Sequence, residues 1–154
     1  MSFKCELKEQ PAQPVLSIRA RTSVRNLPQV LGNGYGSIIQ YICELGENPV
    51  GPPFTAYYNM DMENLDIELG FPVAKKLPGK GDINPGEIPG GKLGTCLYTG
   101  PYGDEMCHAY GALTNFIIDK GYEPTGVAYE MYLNDPTVTP PSELQTLIVF
   151  PLKN

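Results

Sequence analysis

The chain predicts an α+β fold made of two copies of a β-α-β-β unit, and three observations carry that prediction. Strand-like and helix-like stretches follow one another in the same order twice, "ELGENPVGPPFTAYYN" resembles "DKGYEPTGVAYEMYLN", and "LDIELGFPV" resembles "LQTLIVFPL". Matched positions are offset by 75 for Gly46 and Gly121, by 72 for Ala56 and Ala128, and by 79 for Phe71 and Phe150, so small insertions separate the copies. One helix can cover part of one sheet face. Two such units side by side predict a pseudo-two-fold antiparallel sheet with two helices on one face and a central groove between the halves.

The first strand is "PVLSIRART" (14–22), where apolar and polar residues alternate. A helix follows. Asn26 stands where a cap is needed, Pro28 suits the first turn, and Leu31, Tyr35, Ile38, Ile42 and Leu45 recur at spacings of four, three, four and three. Gly46 supplies the stop. "PPFTAYYN" and "LDIELGFPVAKKL", joined by the acidic turn "DMEN", predict an antiparallel hairpin. The Gly/Pro-rich stretch "PGKGDINPGEIPGG" (78–91) reads as a connector between half-repeats 14–77 and 92–154 of a single domain, 1–154.

The second copy runs through the strand "KLGTCLYTG", a helix from about Asp104 to Lys120, and the strands "TGVAYEMYLN" and "LQTLIVFPL". In that helix Met106, Tyr110, Leu113 and Phe116 or Ile117 keep the helical period, and Gly121 follows it. "LGNGYG" in the first helix lacks the ending of a phosphate-binding loop; its small residues let the sheet or a ligand approach the helix.

Composition excludes several functions. The net charge is −6 and the basic residues are dispersed, which disfavours direct nucleic-acid binding and favours a cationic small molecule. Cys5, Cys43, Cys96 and Cys107 lack CxxC spacing and read as reduced thiols, and His108 stands without metal-ligand spacing. No metal or cofactor is expected. The start has no apolar leader and no stretch is long and apolar enough to span a bilayer, so the expectation is a cytoplasmic protein with no membrane partner.

"AYEMYLNDP" (128–136) carries the chemistry. In a strand Ala128, Glu130 and Tyr132 share one face while Tyr129, Met131 and Leu133 share the other. One face looks like core, and the other puts a carboxylate beside a phenol, as a solvated surface or as a pocket lining. On the Ala56 and Ala128 match, Tyr58 is the counterpart of Glu130, and Phe54 shares its face.

The block "YTGPYGDEMCHAYGALTNFIIDKGYEPTG", the block "YEMYLNDP" and the closing "LIVFPL" resemble the GyrI-like small-molecule-binding domain, the effector-binding domain of bacterial transcription activators. The resemblance runs from about Val15 to Leu152. It implies an SHS2-like duplicated fold with a groove for hydrophobic, often cationic, aromatic compounds, and a strand glutamate ringed by aromatic side chains. Glu130 matches that glutamate and Tyr102 the tyrosine of the "GPY" turn, with Tyr98 just before it. Tyr35, Phe54, Tyr58, Tyr132 and Phe150 join them as ligand-binding candidates on the face and repeat arguments.

Regulators with this domain carry a helix-turn-helix module, and this sequence departs from them, with only about fourteen residues ahead of the first strand, so the expectation is the stand-alone form. The leading expectation is a multidrug-type binding protein with no catalytic residue assigned. Two alternatives stand beside it. One is hydrolysis of strained or activated small molecules with the same glutamate, and the other is a protein-interaction role like that of gyrase inhibitors, with DNA gyrase or a regulator as partner.

Overall fold

The computed structural model describes residues 3–102, 104–135 and 137–153, apart from the side chain of Asp104; Pro136, which closes the "YEMYLNDP" block, lies outside the described residues. Along the chain come β1 (Lys4–Gln10), β2 (Gln13–Thr22), α1 (Leu27–Glu44), β3 (Phe54–Tyr57), β4 (Leu65–Pro72), β5 (Asn84–Ile88), β6 (Gly91–Thr99), α2 (Asp104–Asp119), β7 (Ala128–Tyr132) and β8 (Gln145–Pro151). All six expected strands and both helices are present, in an α+β fold with antiparallel pairing. No helix among the described residues is long and apolar enough to cross a membrane.

Two strands were not expected. β1 occupies the polar start, and β5 occupies part of the stretch read as a connector. Both lie at an edge, where sequence signals are weak: β1 alternates Cys5 and Leu7 with charged Lys4, Glu6 and Lys8, and β5 contains Pro85 and Gly86. Charge and proline are tolerated there because one side of an edge strand makes no ladder.

The chain forms two compact units, Pro11–Gly90 and Met1–Gln10 with Gly91–Asn154. Each holds one β-α-β-β copy plus one exchanged strand. β5, which leads directly into the second copy, pairs with β2 of the first; β1, which leads into the first copy, pairs with β6 of the second.

In the Pro11–Gly90 unit, α1 covers the face of β2 and β4 that carries Leu16, Leu65, Ile67 and Leu69, with Ile38 and Ile42 fully buried beneath it. Gly34 permits that approach, since a Cβ there would meet Leu69 Cδ1 at 2.4 Å. Gly32 and Gly36 face open space. Gly46 ends the helix at φ 72°, and the amide of Glu47 reaches back to the Ile42 carbonyl. Asn26 holds the N-cap position, but its side chain makes no capping bond. Its backbone already lies in the helical region and its amide bonds to Ser23, so the preceding turn winds directly into the helix.

In the other unit α2 packs on β6 and β1, and side chains of β7 and β8 complete its core. Met106, Ala109, Leu113 and Ile117 bury against Cys96, Ala128, Ile148 and Phe150. Gly94 keeps β6 close, since a Cβ there would meet Ile117 Cδ1 at 2.6 Å. Gly121 repeats the helix stop at φ 84°, with Tyr122 bonding back to Ile117.

Candidate functional site

Glu130 lies in the middle of β7, opposite Ile148 of β8, which is opposite Cys96 of β6. It shares the α2-covered face with Ala128, so its carboxyl enters the same layer as the helix core. The carboxyl is not on a solvated surface: Glu130 is 8% exposed.

Two phenols meet that carboxyl. Tyr132, two residues along β7, donates to Oε1 at 2.9 Å, and Tyr110 of α2 donates to Oε2. Further rings frame them. Tyr102 stands edge-on to Tyr132 with centroids 5.6 Å apart, and Phe150 stands edge-on to Tyr110 at 5.7 Å. Tyr102 is the exposed member at 44%, whereas Phe150 is buried.

Burial pushes the Glu130 carboxyl above the ordinary carboxylate range; the hydrogen bonds from Tyr110 and Tyr132 pull it back without cancelling that rise. Among the described residues no lysine, arginine or histidine pairs with it. Burial, and then the negative charges of Glu130 and Asp135, also hold the Tyr102 phenol above its usual value. Two residues along β8 from Ile148, the hydroxyl of fully buried Thr146, opposite both Tyr132 and Tyr98, has no hydrogen-bond partner among the described residues. A buried carboxyl without a cation and a buried hydroxyl without a partner both cost stability.

The repeat relation needs one correction. Tyr35 and Tyr110 lie 75 positions apart, as do Gly46 and Gly121, and the same offset takes Thr55 to Glu130. The contacts agree: Tyr35 bonds to Thr55 Oγ1 at 2.8 Å and stands edge-on to Phe71 at 5.5 Å, as Tyr110 meets Glu130 and Phe150. Thr55, not Tyr58, is therefore the counterpart of Glu130. The Ala56 and Ala128 match was off by three residues, an odd number, which moves a strand side chain to the opposite face.

Tyr110 was read from the sequence only as helix core. The constant offset from Tyr35, already a candidate, is the signal that identifies it.

The other candidates divide between the units. Tyr98 is 1% exposed and donates to the Pro101 carbonyl at 2.6 Å, so it braces the turn that carries Tyr102. Tyr35, Phe54 and Tyr58 belong to the Pro11–Gly90 unit. Phe54 and Tyr58 point away from α1. Tyr58 donates to Glu68 at 2.5 Å beneath the guanidinium of Arg19, which lies 3.9 Å from its ring centroid. A depression of about 360 Å³ in that unit is lined by Tyr41, Glu44, Lys80 and Asp82 among others, and none of the residues around Glu130 lines it. Its own Lys80 already pairs with Glu44 at 3.2 Å, so the burial and bonding at Glu130 single out the latter as the candidate site.

Solved structures share this fold. The crystal structure of the EcmrR C-terminal domain is 24% identical, with 99% of each chain covered and a TM-score of 0.81. A hydrolase from Listeria innocua is 16% identical over 97% of this chain and 92% of its own, at 0.71. SAV2435, solved bound to tetraphenylphosphonium, is 11% identical over 99% of this chain and 94% of its own, at 0.61. No curated protein matches the chain. The model of the GyrI-like small molecule binding domain matches residues 3–153, nearly the whole sequence, and the chain belongs to that family.

Proposed function

We propose that this small-molecule-binding domain captures hydrophobic, cationic aromatic compounds, with Glu130 as counter-charge and Tyr102, Tyr110, Tyr132 and Phe150 as the ring surfaces. The observation that carries this reading is a buried carboxyl held by two phenols and paired with no cation of the described chain. Ionising such a group is costly without a partner charge. A lipophilic cation offsets that cost by supplying the missing charge, and each well-placed ring adds about 0.5–2 kcal/mol of cation–π attraction. Neither contribution demands a fixed pattern of polar contacts, so cations of several shapes are accepted. The tetraphenylphosphonium bound to SAV2435 is a compound of this class and a suitable probe.

The test follows from the carboxyl's titration. Tetraphenylphosphonium carries a permanent charge, so only the protein titrates. Its affinity is expected to be weak where Glu130 is protonated, to rise with pH through the elevated carboxyl range, and to level off above it. Calorimetric titration across pH checks this, and a flat profile would remove Glu130 from the reading.

The raised proton affinity of Glu130 also favours a second reading, in which the carboxyl acts as general acid or base toward a strained or activated substrate. Turnover of such a compound, abolished by Glu130→Gln, would replace capture by hydrolysis at the same site.

A further inference from the structure

We propose that Cys5 and Cys96 are a thiol-oxidation site, forming a reversible disulfide that fastens β1 to β6 when the protein meets a hydroperoxide. The two residues are direct partners in the antiparallel ladder between β1 and β6. Such partners have Cα atoms about 4.5–5.5 Å apart, inside the span that a disulfide bridges. Both side chains face α2: Cys96 is fully buried in the core there, and half-buried Cys5 packs against the same cluster. Burial first, and then the neighbouring Cys5, push the Cys96 thiol up to about 12. Cys43 and Cys107 are exposed and lie on α1 and α2.

The chemistry divides between the two thiols by access. Cys5, the more accessible, attacks the peroxide; the O–O bond breaks, one oxygen stays on Cys5 as a sulfenic acid, and the other leaves as water or alcohol. Cys96 then attacks the Cys5 sulfur. The S–O bond breaks as the S–S bond forms, and the departing hydroxide takes the Cys96 proton to leave as water. The peroxide gains the two electrons that the thiols lose.

This bond closes the chain from residue 5 to residue 96 and ties down the strand that the start of the chain contributes. It also lies in the row that runs from Cys5 through Cys96 and Ile148 to Glu130.

The full chain treated with hydrogen peroxide, then denatured, alkylated and mapped by mass spectrometry, tests this. The expected result is a Cys5–Cys96 cross-linked peptide lighter by two hydrogens, with Cys43 and Cys107 alkylated, and complete reversal by dithiothreitol. The cross-link should form faster as pH rises, because a thiolate attacks faster than a thiol. Oxidised protein should melt roughly 5–10 °C higher than reduced protein, and Cys5→Ser should abolish that shift. If Cys5 and Cys96 stay alkylatable after peroxide, or the cross-links join Cys43 or Cys107 instead, the proposal is overturned. Mapping the wild-type chain decides this even if the variant folds poorly.

Discussion

Glu130→Gln is expected to weaken tetraphenylphosphonium binding by about 1–3 kcal/mol, roughly 5–150-fold, the range for losing a charge-assisted contact. The substitution keeps the shape, and the new amide oxygen still accepts a phenol hydrogen bond, so the loss reports charge. The same variant is expected to melt higher than the wild type at neutral pH. The folded-state carboxyl binds its proton more tightly than the unfolded one, so its contribution to stability is complete below the unfolded titration. It is lost as pH rises through the folded one. Glutamine stays neutral throughout, so its advantage should grow with pH and vanish in acid. Weaker cation binding together with higher stability is the signature of a residue kept for binding; a variant that bound the cation unchanged would refute the role given to Glu130.

Leu113→Ala should have the largest effect on stability. Leu113 is fully buried, one turn along α2 from Tyr110, in the cluster with Cys96 and Ile148. Truncating it removes that packing and leaves a void, at about 2–5 kcal/mol. A fall of roughly 5–15 °C in melting temperature is expected. Chemical and thermal denaturation would check it. Because Leu113 does not touch the carboxyl's hydrogen bonds, the folded variant should keep its preference for cations. A loss under 1 kcal/mol would mean that α2 is held by something other than this seam.

The order of elements was legible because helical and strand periods are strong signals wherever one face is buried. Leu31, Ile38 and Ile42 announce α1, and "LDIELGFP" announces β4. The edge strands were not legible: β1 is polar and β5 carries Pro and Gly, features that charged or proline-containing edges share with loops. Glu130 could be singled out, yet its burial could not be read from the strand pattern alone, because alternation tells which residues share a face but not what covers that face. Tyr110 was obscured for a related reason. A tyrosine at a core position of a helix has the same sequence pattern whether its hydroxyl meets water or a carboxylate. The helix-stop glycines hold the repeat register more firmly than the alanines do, since a positive φ pins them while alanine fits many positions.

On the proposed reading, charge rather than shape selects the ligand at Glu130. Tetraphenylphosphonium and tetraphenylborate have nearly the same size and surface and carry opposite charges. Titrated side by side into the wild-type protein at a pH where Glu130 is ionised, the cation is expected to bind at least tenfold more tightly, a difference of about 1.4 kcal/mol. Equal affinities, or tighter binding of the anion, would contradict the account.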